Sequence, residues 1–458
     1  MSRFMMSQEI RPGVTLTGPA EGVTQDGRGV LHVNGATLFV AGLLPGEKGR
    51  VQVEAVHPRR GYAEARLLQR YDESPERVLP RCPVFGRCGG CQLQHWSAEA
   101  QQVHKRQVVA DAFRRIAHLS VDVEETVNLT PWAYRNKIEM PVVQTSRGTQ
   151  IGYFASHSHQ IVNVETCPIA QPPANRVLAV LQRLIRQYHI AGYDETRQNG
   201  ELRHVVVRVG ERGREVLVIL VTRVRTVSWL DAVVKTLVDE IDGLVGVVQN
   251  VQPVATNVIL GSEWHLCWGR SFLNEHLGDL HFHLSAGAFF QVNPPVAEKM
   301  YNAAQEALQC EGTETLVDLY CGVGTTTLWM ASQVKWAVGV ESNRQAVQDA
   351  QANAVRNHVA NVDFYADTAA HFLMRWVAER QPVDRLLLDP PRKGAEPAVL
   401  DAILTAGVPR LVYISCNPQT LARDAARLSN AYRVTRVQPF DLFPQTAHIE
   451  TVVGFEHR

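Results

Sequence analysis

A chain of 458 residues is too long for one hydrophobic core, so about two to four domains are expected. Its 45% apolar and 20% charged content excludes a disordered, collagenous or membrane-embedded chain. The 46 Lys and Arg cancel the 46 Asp and Glu, which excludes bulk polyanion binding but leaves room for local basic patches.

The first nine residues carry no apolar core of a signal peptide, and no run is long enough to span a bilayer. Eight cysteines are too few for a disulfide scaffold at this length, so a cytoplasmic protein with no membrane partner is expected. Within 9–70, the stretches 14–16, 29–33, 36–40, 48–56 and 62–68 read as short strands split by Gly, Pro and Asp. That spacing fits a five-stranded, OB-like barrel. Pro58-Arg59-Arg60-Gly61-Tyr62, with Arg66 and Arg70, offers cations and an aromatic ring to phosphates and stacked bases.

Residues 71–285 read as mostly β, with a helix near 174–188. Cys82-Pro83-Val84-Phe85-Gly86-Arg87-Cys88-Gly89-Gly90-Cys91 gathers three thiols, and Cys167 is a fourth candidate. Gly89 and Gly90 let the backbone wrap a bulky centre and turn its amides toward sulfur. Four thiolates suit tetrahedral zinc or an iron–sulfur cluster. Zinc sites usually pair two Cys-x-x-Cys units. A triplet with a distant fourth ligand favours a [4Fe-4S] cluster on Cys82, Cys88, Cys91 and Cys167. Cys267 and Cys310 read as packing residues, and Tyr134-Arg135-Asn136-Lys137 as a second RNA contact.

From residue 286 onward, 315–319, 336–340, 362–365, 385–388 and 411–414 read as buried strands alternating with helical stretches. This pattern implies a parallel sheet covered by helices. The tail, 432–440 and 448–455, has no intervening helix and predicts an antiparallel hairpin at the sheet edge. Asp318-Leu319-Tyr320-Cys321-Gly322-Val323-Gly324-Thr325 puts glycines after the first strand, but Thr327 occupies the third glycine position of a dinucleotide fingerprint. Glu341, Asp367 and Asp389 stand at successive strand ends. Acids there, without the Lys of a phosphate loop, suit a cationic nucleoside such as S-adenosylmethionine. Asp389-Pro390-Pro391-Arg392 is a rigid loop of the kind that holds a planar base.

Cys416 lies just past the strand 411–414, at the carboxyl end where open α/β sheets place their chemistry. Methylating C5 of uracil needs a thiolate to add at C6 and a base to remove the C5 proton. Glu450, opening the last strand, is the candidate base.

These motifs, with Phe443-Pro444-Gln445-Thr446-Ala447-His448-Ile449-Glu450 and Ser285-Ala286-Gly287-Ala288-Phe289-Phe290-Gln291-Val292-Asn293-Pro294, resemble the RNA uracil-5 methyltransferase family over nearly the whole chain. The resemblance implies a Rossmann-like class I methyltransferase domain over 286–458, with Cys416 as nucleophile and Glu450 as base. It implies that Gln291, Tyr320, Glu341, Asp367 and Asp389 line the S-adenosylmethionine pocket and that Phe289 lies near the flipped base. Thr325 belongs to the same pocket but departs from the family, many of whose members have Asn there. The amino-terminal barrel resembles the family's TRAM domain, and many members carry a [4Fe-4S] cluster. By analogy the substrate is ribosomal RNA, 23S in particular, and the protein a monomer. Two rival readings are a base-amine methyltransferase, which needs neither Cys416 nor Glu450, and an iron–sulfur RNA-binding protein whose methyltransferase domain is inactive.

Overall fold

The computed structural model describes residues 10–156 and 158–458, so the segment read for a signal peptide lies outside the described residues. Alternating burial along Lys48–His57 turns Val51 and Val53 inward while charged neighbours stay in water. Four further strands, Thr15–Val23, Arg28–Val33, Ala36–Ala41 and Tyr62–Arg70, close with it into a five-stranded barrel. Leu31, Leu38, Val40 and Ala63 complete its core. The barrel expected from the sequence is present.

The central region is built on one seven-stranded sheet. Its middle strands, Leu202–Gly210 and Glu215–Thr222, are buried almost throughout because both faces are covered, Arg203 and Arg208 included. One face packs under the helices Pro172–Gln187 and Leu230–Glu240. The other contributes Val206, Leu217 and Ile219 to a core shared with the hairpin Phe272–Leu277/Leu280–Ser285 and the helix Pro294–Leu308. That shared core joins the central region to the carboxyl-terminal sheet.

The carboxyl-terminal sheet runs in the order Val362–Ala366, Trp336–Glu341, Thr315–Leu319, Arg385–Leu388, Arg410–Ser415, Glu450–His457, Tyr432–Phe440. The first five strands are parallel. The last strand of the chain is antiparallel to both its neighbours and inserts between them. The expected hairpin is therefore present, with its second strand inside the sheet and its first at the edge.

One segment crosses the boundary drawn at residue 286. The helix Ala98–Ala112 and the π-turn Phe113–Ala117 bury Val109, Ala112 and Phe113 in the core that holds Val317, Leu386, Leu421 and Val453. Beyond it, Glu124 N–H donates to Val437 O at 2.9 Å and Val127 N–H to Pro439 O at 3.0 Å, covering the sheet's edge strand. Residues 98–127 thus complete the carboxyl-terminal unit. Phe113→Ala is expected to lower stability by about 3–5 kcal/mol in denaturant unfolding. A 286–458 fragment is expected to aggregate where one carrying 98–127 does not.

Candidate active site

Strand ends bring the predicted residues to one side of the carboxyl-terminal sheet. Asp318, the one acid in an otherwise apolar strand, is fully buried. Its Oδ2 accepts from Thr326 Oγ1 at 2.5 Å and Thr327 Oγ1 at 2.6 Å, while Oδ1 has no partner. Thr327 therefore holds an acid at the position where a dinucleotide fingerprint has its third glycine. Gly324, at φ +81°, caps the helix Thr325–Ala331, and a Cβ there would lie 3.0 Å from Ala350 and Phe364. Half-buried Thr325 opens that helix.

Glu341 accepts from Gly322 N–H at 3.3 Å and Asn343 N–H at 2.8 Å. Together with Gly322 and Asn343 it lines a cavity of about 770 Å³ whose lining also includes Phe289, Trp264 and Leu266. Phe289 is 68% exposed there, free to meet a planar ring. Gln291 is buried. Its side chain hydrogen-bonds Tyr301, whose phenol is pushed well up by burial and then by Asp389, Asp318 and Glu450.

Of the predicted pocket residues, Glu341 is in that lining and Gln291, Tyr320, Thr325, Asp367 and Asp389 are not. Asp367 is tied to its own helix, accepting from Thr368 N–H at 2.8 Å and lying 2.8 Å from His371 Nδ1. The Tyr320 phenol is pushed up to about 12 by burial, then by Glu396 and Asp424, and is not part of the lining shared by Glu341 and Phe289.

The thiol and the candidate base are opposed. Ser415 pairs with Thr451, the last pair of the ladder, so Cys416 just beyond one strand and Glu450 at the start of the other are the next residues along the two chains. Burial pushes the Cys416 thiol up to about 11, and Glu450 and Asp389 add to the rise, whereas Arg392 opposes it. Burial and then Asp389 push Glu450 well above the usual carboxylate range. Asp389 rises to about 7 through burial and then Asp318, which itself rises to about 7 mainly by burial. Two buried acids, Asp318 and Glu450, with half-buried Asp389 and the half-buried Cys416 thiol thus act on one another, and Arg392 is the cation acting on Cys416 and Glu450. Such a donor set fits a cation and disfavours an anion. Asp318, Tyr301 and Arg392 were not singled out as site residues; an acid in an all-apolar strand was the available signal for the first.

The four cysteines gather as well. Cys82, Cys88, Cys91 and Cys167 line a cavity of about 300 Å³ with Tyr153 and His448. Gly89 N–H donates to Phe154 O at 2.9 Å, and a Cβ on Gly89 would lie 3.0 Å from that oxygen. Gly90 N–H points at Cys88 Sγ at 3.4 Å. Burial pushes Cys91 up to about 12, with the other three thiols adding to the rise. Among the described residues no three His, Cys, Asp or Glu are grouped so as to hold a single metal ion.

The RNA contact expected at 134–137 is not an exposed surface. Tyr134 is buried with its hydroxyl donating to Pro444 O at 2.9 Å, Asn136 is buried, and Lys137 pairs with Glu139 at 2.8 Å. These side chains are consumed in packing the central sheet against the loop before Glu450. On the barrel, Arg66 and Arg70 pair with acids, while Arg59 and Arg60 stay exposed beside Tyr62. Cys267 and Cys310 pack against the cores, as expected.

The profile described as tRNA (uracil-5-)-methyltransferase matches residues 248–458. An uncharacterized RNA methyltransferase of Halalkalibacterium halodurans is 40% identical over 439 residues, 95% of each chain. One from Listeria monocytogenes is 37% identical over 94% of this chain and 95% of its own. Among solved structures, the tRNA (uracil-54, C5)-methyltransferase of Pyrococcus abyssi in complex with S-adenosyl-L-homocysteine matches at TM-score 0.77 and 25% identity. It covers 96% of this chain and 100% of that one.

Removing the negative charge opposite the thiol is expected to ease its ionisation. In Glu450→Gln, the pH midpoint of Cys416 alkylation should fall below that of the wild type; an unchanged midpoint would separate the two groups.

Proposed function

The chain belongs to the RNA uracil-5 methyltransferase family, whose methyl donor is S-adenosylmethionine, and on that premise we propose a mechanism centred on Cys416 and Glu450. The observation that carries it is the strand register that opposes thiol and carboxylate beside Asp389. Gln291, Glu341 and Asp389, with Thr325, Tyr320 and Asp367 at its margins, would hold the cofactor, which supplies an electrophilic methyl group when bound. A target uridine leaves its stack at a cost of roughly a few kcal/mol and meets Phe289. The Cys416 thiolate adds to C6, and the electron pair of the C5=C6 bond moves to C5, which accepts the methyl group. Glu450 then takes the C5 proton. The C–H pair restores C5=C6 as the C6–S bond breaks, and the thiolate leaves.

Burial keeps the free thiol protonated, so it is unreactive until positive charge enters the site. With Asp318 and Asp389 both near 7, a cationic ligand binds best when they are ionised. Affinity for S-adenosylmethionine relative to neutral S-adenosylhomocysteine is therefore expected to rise from about pH 6 to about pH 8, measured by calorimetry.

The substrate we infer is 23S ribosomal RNA, bound by the TRAM-like barrel through Arg59, Arg60 and Tyr62, with the protein acting as a cytoplasmic monomer. Transfer RNA is the second reading, favoured by the names of the matching family and of the Pyrococcus protein. Mapping 5-methyluridine in both RNA pools of cells lacking the gene separates them.

A [4Fe-4S] cluster on Cys82, Cys88, Cys91 and Cys167 is the reading of the cysteine cavity. What supports it is that four thiols line one cavity, with the Gly90 amide turned toward Cys88 Sγ. Protein purified without oxygen is expected to carry about four iron per chain, lost in Cys167→Ser.

Cys416→Ala is expected to abolish methyl transfer, and Glu450→Gln to accumulate an RNA–protein adduct on denaturing gels. Wild-type turnover by Cys416→Ala would favour a base-amine methyltransferase.

A further inference from the structure

Glu450 is delivered by the loop 441–449, and nearly every residue of that loop is held by groups more than a hundred residues away. Fully buried Lys105 pairs with Asp441 at 2.5 Å and reaches Phe443 O at 3.3 Å. Asn293 Nδ2 donates to Leu442 O at 3.2 Å, and Tyr134 Oη to Pro444 O at 2.9 Å. Gln445, buried at φ +71°, exchanges two amide bonds with Gln101, both at 3.1 Å. Gln92 and Leu93, which follow the cysteine triplet, donate their N–H groups to Gln445 O at 3.1 and 3.0 Å. Gln92 Oε1 accepts from Ala447 N–H at 3.2 Å.

Nothing in the folding of the barrel or the central sheet requires this density of polar contacts. A buried Lys–Asp pair adds little net stability over an apolar pair of similar size, so its value lies in the geometry it fixes. That geometry is the loop's exit into Glu450, which must return opposite Cys416. Gln101 and Lys105 lie on the inward face of one helix, Ala98–Ala112, and further along that face Val109 and Ala112 anchor it in the methyltransferase core. The helix is therefore a rigid strut between that core and the base-bearing loop.

We propose that Gln101 and Lys105 are positioning residues for Glu450, and that they set the rate of C5 proton removal without touching RNA or cofactor. The proposal rests on the assignment of Glu450 as base. A displaced carboxylate leaves attack by Cys416 intact and slows the step that releases it. Gln101→Leu and Lys105→Met are therefore expected to lower turnover by between about 10- and 100-fold, with KM for RNA and for S-adenosylmethionine within about twofold of wild type. Both should raise the fraction of RNA trapped as covalent adduct.

Lys105→Met strands the Asp441 charge in the core, so the double variant Lys105→Met/Asp441→Leu separates fold from placement. It is expected to recover thermal stability while keeping slow turnover and the trapped adduct, because the tether to Phe443 is still missing. Recovery of full turnover together with stability would overturn the proposal, as would equal losses in binding and rate without adduct. Glu450→Gln in the same assay distinguishes the two failures. Adduct there but not in the helix variants refutes the strut, and no adduct there refutes the base.

Discussion

The proposed chemistry depends on one strand register. Tyr413 pairs with Val453 and Ile414 with Val452, and these residues alternate between the cores on the two faces of the sheet. A slip of one residue would exchange the faces and bury the wrong side of the last strand, so packing fixes the register far more tightly than backbone hydrogen bonds alone. Because the last strand lies between two partners and not at the edge, it cannot slide without breaking both ladders. Cys416 and Glu450 are the first residues beyond and at the end of that locked segment. Their opposition is inherited from apolar side chains that take no part in the reaction.

The same burial that locks the register sets the electrostatics. Carboxylates and a thiol taken out of water favour their neutral forms, and each acid makes its neighbour's ionisation harder. Asp318 shows how far this goes. Two threonine hydroxyls stabilise its ionised form, yet burial still raises it to about 7. The site is held short of positive charge, and a cationic methyl donor answers that shortage where a neutral product does not. Arg392, on the loop opened by Asp389-Pro390-Pro391, opposes the rise at both Cys416 and Glu450.

Much of this was legible in the sequence where local pattern and tertiary role agree. Strands over 315–319 and 385–388 read correctly because both of their faces are buried, which leaves a short run that is apolar but for Thr315, Asp318 and Arg385. The barrel strands read because their faces alternate. The helix Ala98–Ala112 was not anticipated, and the reason is physical. Its inward face carries Gln101 and Lys105, so the apolar periodicity that announces a buried helix is missing. Tyr134 was misplaced for the converse reason. An aromatic among cations looks like an RNA contact, but its hydroxyl is spent on Pro444, a partner 310 residues away. Asp367 sits at its expected strand end, yet His371 one turn on claims its carboxylate. Sequence position set where each side chain starts, and its partners, distant for Tyr134 and local for Asp367, decided where it points.

The cysteine cavity and the active site meet through a few residues of backbone. Thr446 and His448 line the cavity, while Gln445 and Ala447, alternating with them, bond to Gln92 and Leu93 just beyond Cys91. Burial lowers His448 to about 4, so it stays neutral and adds no charge beside the thiols or beside Glu450 two residues later. The loop therefore has two faces with separate tasks. One is shaped by the sulfur side chains and the other by the amides that lock it to the helix Ala98–Ala112.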